Sequence, residues 1–113
     1  MPPEPDSIPT TDPLTASADA PGAMLLDVRD ADEWAAGHAP AAVHIPLNSL
    51  QADDLPTDRR IYCICRSGGR SGAAVGAMVR AGFDAVNVAG GMNAWSAAGL
   101  PVVTDAAGAG TVI

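Results

Sequence analysis

Ile61-Tyr62-Cys63-Ile64-Cys65-Arg66-Ser67-Gly68-Gly69-Arg70-Ser71 is the stretch on which the reading of this chain turns. Its first five residues are consecutive, apolar and partly β-branched, as a strand covered on both faces requires. The rest leaves that strand and enters a helical pattern over Ser71 to Ala81, with Val75, Met78 and Val79 as the apolar stripe and Gly82 as the stop. Upstream, Met24 to Val28 reads as a second buried strand, followed by a short helix over Ala31 to Ala36 that Gly37 ends. Ala42 to Ile45 is a short strand closed by Pro46; Asn48 to Leu50 is a helical turn, and Leu55-Pro56 breaks the chain after it. Downstream, Ala85 to Val88 is the last clear strand and Asn93 to Ala98 a final helix ended by Gly99. Strands alternating with helices predict an α/β fold: a parallel sheet with helices on both faces.

The 113 residues fit one domain. Residues 1–21 hold six prolines among Ser, Thr and Asp, which predicts an extended or disordered leader, with Ile8 to Leu14 able to lie along a sheet edge. The domain then spans residues 22–103, and 104–113 is an Ala/Gly-rich tail. Hydrophobic residues make up 48% of the chain, but 23 are alanines, so the core must be small side chains packed closely. Thirteen acids against six bases give a net charge of −7, which sets nucleic acid and anionic membranes aside as partners. All six bases are Arg; without Lys there is neither a Schiff-base lysine nor a phosphate-loop lysine. Cys63 and Cys65 are too few for a disulfide scaffold, and with His38 and His44 they match no zinc spacing, so no metal is expected. No run approaches the length of a membrane span, and the N-terminus lacks a signal-peptide pattern. The expectation is a soluble, cytoplasmic protein with reduced thiols.

The chemistry lies in the loop Cys65 to Ser71. In open α/β sheets, ligands sit at the carboxyl ends of strands, which is where this loop begins. Gly68 and Gly69 let the backbone curl with its amides inward, and a helix N-terminus stands behind them. Such a cradle offers N–H donors and partial positive charge to an anion at its centre. A thiol at its mouth ionises readily, and Arg66 and Arg70 add two fixed charges to an otherwise acidic body. Cys65 is therefore the candidate nucleophile for an anionic substrate, against the alternative of a buried strand-end cysteine without a role. Cysteine phosphatases use C-x5-R, whereas here Arg70 falls at C-x4-R and Ser71 takes the sixth place. The smaller ring favours a single transferred sulfur atom over a phosphoryl group.

With these pieces in order the chain resembles a single-domain rhodanese, a thiosulfate sulfurtransferase-type domain, over residues 22–103. The resemblance is carried by Leu26-Asp27-Val28-Arg29 with Glu33-Trp34, Gly37-His38-Ala39-Pro40, Ile45-Pro46-Leu47, the loop Cys65 to Ser71, Gly90-Gly91-Met92 with Trp95, and Gly99-Leu100-Pro101-Val102. It implies a five-stranded parallel sheet and a two-step reaction. Cys65 takes the outer sulfur of a donor such as thiosulfate, forming a persulfide, and hands it to cyanide or a thiol. The amides from Arg66 to Ser71, through Ser67, Gly68 and Gly69, hold the persulfide, and Arg66 and Arg70 bind the donor's anionic end. No metal or organic cofactor is implied; the partners are a small anionic donor, a thiol acceptor and, as a further candidate, a sulfur-acceptor protein. Asp27 and Arg29 match the family's D-x-R pair, which braces the loop and the next helix. Three departures stand out: Ala41 where Gly is usual, His44 where a polar Asn is common, and the stretch from Ile8 to Gly22, too Pro-rich for the family's usual first strand and helix.

The remaining candidates read as structural. Glu33 is expected to pair with Arg29, four residues away. Cys63 shares a strand face with Cys65 and reads as a packed core thiol, a disulfide along one strand being geometrically poor. His38 follows a helix stop, and with His44 it is set aside as a base; Trp34 and Trp95 read as core or rim packing. Besides the enzyme, two readings stay open: a rhodanese-like binding or sulfur-carrier module acting on a protein partner, and a phosphatase or arsenate-reductase relative, which the loop count disfavours.

Overall fold

A computed structural model of the chain describes residues 8–113. Five strands form one sheet: β1 (Thr10–Thr11), β2 (Met24–Asp27), β3 (Val43–His44), β4 (Ile61–Ile64) and β5 (Ala85–Val88), in the order β1-β5-β4-β2-β3. Every pairing is parallel. Among the described residues, three helices lie between strands, α1 (Pro13–Asp19), α2 (Ala31–Ala36) and α3 (Gly69–Arg80), and α4 (Gly91–Ala97) follows β5, with 3-10 turns at Ala20–Gly22, Leu47–Ser49 and Ala52–Asp54.

The three central strands are buried along their whole length, so they run apolar without alternation. Their side chains divide between two cores. Leu25, Tyr62, Ile64, Val86 and Val88 pack with Ala16 of α1 and with Met92 and Trp95 of α4. Leu26, Ile61, Cys63, Cys65 and Ala85 pack on the other face with Ala74, Val75 and Met78 of α3. Alanines at the contacts, Ala16 and Ala74 among them, let the helices lie close to the sheet. No described helix is long and apolar enough to cross a membrane.

Two boundaries differ from the sequence reading. The proline-rich stretch before residue 22 is not a structureless leader over its described part. Thr10 and Thr11 pair with Asn87 and Val88 at the sheet edge, within the segment expected there, and α1 follows directly. Pro13 occupies the first helical position, where a missing N–H costs nothing, and the Asp12 carboxylate caps the helix by accepting from the Thr15 amide at 2.8 Å. Residues 1–7 of that leader lie outside the described residues. The expected tail after residue 103 also folds back. His38 and Val103 exchange both backbone hydrogen bonds at 2.9 Å, and the Thr111 amide donates to the Ala36 carbonyl at 2.9 Å. Val112 packs against the first core. Small side chains there permit close backbone approach, which composition alone reads as looseness.

Candidate active site

Strand β4 delivers Cys65 to the carboxyl edge of the sheet, facing the same core as Cys63. The chain then curls through Arg66 and Ser67 to Gly68, whose left-handed φ of 106° turns it into α3. The Cys65 sulfur accepts the Gly68 amide at 3.1 Å and has the Ser71 hydroxyl at 3.3 Å. Burial of Cys65 opposes ionisation, but the Ser71 hydroxyl and the amides of Ser71, Gly68 and Ser67 outweigh it and hold the thiol below its ordinary value. Cys63, two residues back on the same face, has no such donors, and burial pushes its thiol up to about 12. Two cysteines of identical chemistry thus differ by environment: donors hold one thiol down and burial pushes the other up. Both are free thiols.

The wall opposite the loop is the start of α4. The Met92 amide donates to the Cys65 carbonyl at 2.7 Å, and the Asn93 amide to the Arg66 carbonyl at 3.0 Å. Gly91, at φ 57°, lies against these same groups. A Cβ there would fall on the Cys65 carbonyl oxygen and 2.7 Å from the Arg66 carbonyl carbon. Only glycine permits this approach.

The charged residues are distributed otherwise than their spacing suggests. Arg70 makes a bidentate pair with Glu33 of α2, at 2.7 and 2.9 Å. That pair raises Arg70 and holds the Glu33 carboxyl down at about 2. The expected partnership of Glu33 with Arg29 is therefore incorrect. Arg29 is fully buried and turns instead to Asp27, bonding it through Nε at 3.0 Å and Nη2 at 2.8 Å, and donates to the Gly37 carbonyl at 2.7 Å. A buried guanidinium takes the nearest buried carboxylate, and helical spacing does not apply because Arg29 precedes α2. Asp27 and Arg29 brace the end of α2; neither is bonded to the Cys65–Ser71 loop. Arg66 is exposed at the mouth, and among the described residues no carboxylate pairs with it. Ser67 and Gly69 are exposed beside it, and Ser71 is buried beneath the sulfur.

Histidines 38 and 44 are engaged elsewhere, bonding the Trp34 and Arg29 carbonyls. His38 stacks on Trp34 with ring centroids 3.5 Å apart, and His44 stacks on the same indole at 4.8 Å. Trp95 is core, its Nε1 donating to the Pro101 carbonyl at 2.9 Å. Among the described residues, Asp30, Asp32 and Glu33 gather three carboxylates within 4.8 Å, but Glu33 already serves Arg70 and the Asp30 amide.

Asn87 was not anticipated. It sits on β5, one strand away, yet its side chain reaches both Ser71 and Gly68. Its signal in the sequence is a polar residue inside the otherwise apolar strand Ala85–Val88.

The site is thus a buried strand-end thiol with amides gathered around it, beside an exposed Arg that has no carboxylate partner among the described residues, on a parallel α/β sheet. The family model for the Rhodanese-like domain matches residues 10–98, and the chain belongs to that family. A sulfurtransferase of Allochromatium vinosum is 36% identical over 89 residues, covering 76% of this chain and 83% of the relative. A Bacillus subtilis protein named as a sulfur carrier, YrkF, is 43% identical over 75 residues, covering 64% of this chain and 40% of that protein. A rhodanese-related protein of Thermoplasma volcanium superposes with a TM-score of 0.81 at 29% identity, over 86% of this chain and 99% of its own.

Proposed function

We propose that this chain is a sulfurtransferase that carries sulfane sulfur on Cys65. The observation that carries the reading is the environment of one sulfur atom: Cys65 Sγ, at the carboxyl end of the sheet, with the Gly68 amide at 3.1 Å and the Ser71 hydroxyl at 3.3 Å. These donors stabilise a thiolate, and the same donors suit the negative outer sulfur of a persulfide. In the first step the thiolate attacks the outer sulfur of thiosulfate or of another sulfane donor. The new S–S bond forms as the old one breaks, and for thiosulfate the electron pair leaves with sulfite. In the second step a thiol or cyanide attacks the outer persulfide sulfur, and Cys65 departs as thiolate. Arg66, exposed and without a carboxylate partner among the described residues, meets the donor's anionic end, while Arg70, committed to Glu33, holds the loop against α2 and supplies charge from behind. Thiolate chemistry of this kind belongs to a reducing compartment such as the cytoplasm.

The similarity to a protein named as a sulfur carrier favours a second reading, in which the same persulfide passes to a protein acceptor. Intact mass after incubation with thiosulfate tests the shared step. A gain of one sulfur, about 32 Da, is expected in the wild type and in Cys63→Ser and is expected to vanish in Cys65→Ser. Thiocyanate production on adding cyanide then marks an enzyme that turns over. Loading without turnover marks a carrier, and no loading from either thiosulfate or a persulfide donor sinks both.

A further inference from the structure

Asn87 is buried, 7% exposed, and both ends of its amide reach the loop that carries Cys65. Its Nδ2 donates to the Gly68 carbonyl at 3.3 Å, which fixes the orientation of the group: Oδ1 must face the Ser71 hydroxyl, at 2.6 Å. Two oxygens this close share a proton, and an amide oxygen has none to give, so Ser71 donates to Asn87. A hydroxyl has one proton only. Once it lies on Asn87, the Ser71 oxygen turns a lone pair toward Cys65 Sγ, 3.3 Å away. That arrangement suits a thiol, whose S–H can donate to the lone pair, and opposes a thiolate. The hydroxyl serves the thiolate only after it rotates, points its proton at sulfur and releases Oδ1.

We propose that Asn87 is a positioning residue for Cys65, competing with the sulfur for the single Ser71 proton while it anchors Gly68. With the proton on Asn87 the sulfur is served by the loop amides alone, and rotation of one hydroxyl adds a further donor to the thiolate. The proposal rests on Cys65 being the reactive thiol, and on no particular donor or acceptor. The charged and titratable groups around Cys65 are Arg66, Arg70 with its partner Glu33, Cys63 on the same strand and Asp27 on β2 beyond it. Asn87 is bonded to none of these, so its replacement leaves the surrounding charge unaltered.

The test is the pH dependence of iodoacetamide alkylation at Cys65 in the full chain, with the site assigned by peptide mass and folding checked by circular dichroism. Asn87→Ala removes the competitor, and the alkylation midpoint is expected to move down by about half to one pH unit. Asn87→Leu, closer in volume to Asn, is expected to do the same should the alanine variant fold poorly. Ser71→Ala removes the donor, and its midpoint is expected to rise. In the Ser71→Ala background, adding Asn87→Ala is expected to change nothing. A residue that merely supports the loop would behave oppositely: its loss loosens the cradle and raises the midpoint in either background. A raised or unmoved midpoint in the folded Asn87 variants, or an equal shift with and without Ser71, overturns the proposal. Cys65 that resists alkylation at every pH would instead sink the reading of this thiol as reactive, and with it the sulfur-transfer mechanism.

Discussion

Glu33 places both carboxylate oxygens on Arg70 and accepts the Asp30 amide as well, so one side chain joins α2 to the first turn of α3. Its carboxyl, held at about 2 chiefly by the Arg70 hydrogen bonds, has a measurable consequence. A carboxylate whose folded value is depressed stabilises the fold above its unfolded value and stops doing so as pH falls through the folded one. The pair's contribution is therefore complete above about pH 5 and declines toward pH 2. Glu33→Gln is expected to lower stability by about 1–2 kcal/mol at pH 7, the pair being partly open to solvent. Denaturation curves of the two proteins should converge as the pH approaches 2; a gap that persists there would mean that packing, not the ion pair, explains it. Asp27 and Arg29 follow a different logic. Both are fully buried, and they serve the end of α2, leaving the thiol to the loop's own amides.

At the scale of elements, the site is a joint between the β4–α3 loop and the start of α4. The two are laced by the bonds from Met92 and Asn93 to the Cys65 and Arg66 carbonyls. Gly91 is the pivot of that joint, and Gly69, four residues after the sulfur, is its contrast. Nothing lies within 4 Å of a Cβ added at Gly69, which begins a helix with ordinary φ. Gly69→Ala is expected to leave stability unchanged or to raise it by a few tenths of a kcal/mol, up to about 1. Gly91→Ala meets the loop backbone and demands a left-handed φ, and is expected to cost about 3 kcal/mol or more. Thermal melts of the two variants check both; equal melting temperatures would show that α4 can shift away from the loop without penalty. The same spatial logic explains which elements the sequence disclosed. The strand Ile61–Ile64 and the helix Ala31–Ala36 were legible because an apolar run or a glycine stop marks each end. β1 showed only as a stretch able to lie along a sheet edge, and α1 was hidden because prolines read as breakers. Pro13 needs no partner where it stands, and a two-residue edge strand leaves no periodicity to detect.

Across the whole molecule, the C-terminal segment closes the end of α2. Gly37 adopts extended backbone that any residue could take, but a Cβ there would lie 2.6 Å from both the Thr111 amide nitrogen and carbonyl oxygen. The last residues thus pack directly on the turn that Arg29 also holds, since the Gly37 carbonyl accepts from its Nη2. Deleting residues 108–113 removes the Thr111 and Gly110 backbone bonds and uncovers Val112's contact with the core. The expected loss is about 1–2 kcal/mol, or several degrees in melting temperature for a domain of this size. An unchanged melting temperature would return this segment to the status of a loose tail.

The sequence by itself determined the α/β class, the parallel sheet, the strand–loop–helix unit with Cys65 at its turn, and the placing of Cys63 inside the strand's packed core. All of these are local properties: apolar runs, glycine stops, and amides that belong to the same loop as the thiol. The tertiary structure alone decided which carboxylate each Arg would meet, that Gly91 and Gly37 are places of backbone contact, and that Asn87 shares a proton with Ser71. Those facts arise where β5 lies beside β4, where α2 swings toward α3 and where the C-terminus folds back. They depend on distances between segments far apart in the chain, which short-range patterning does not record.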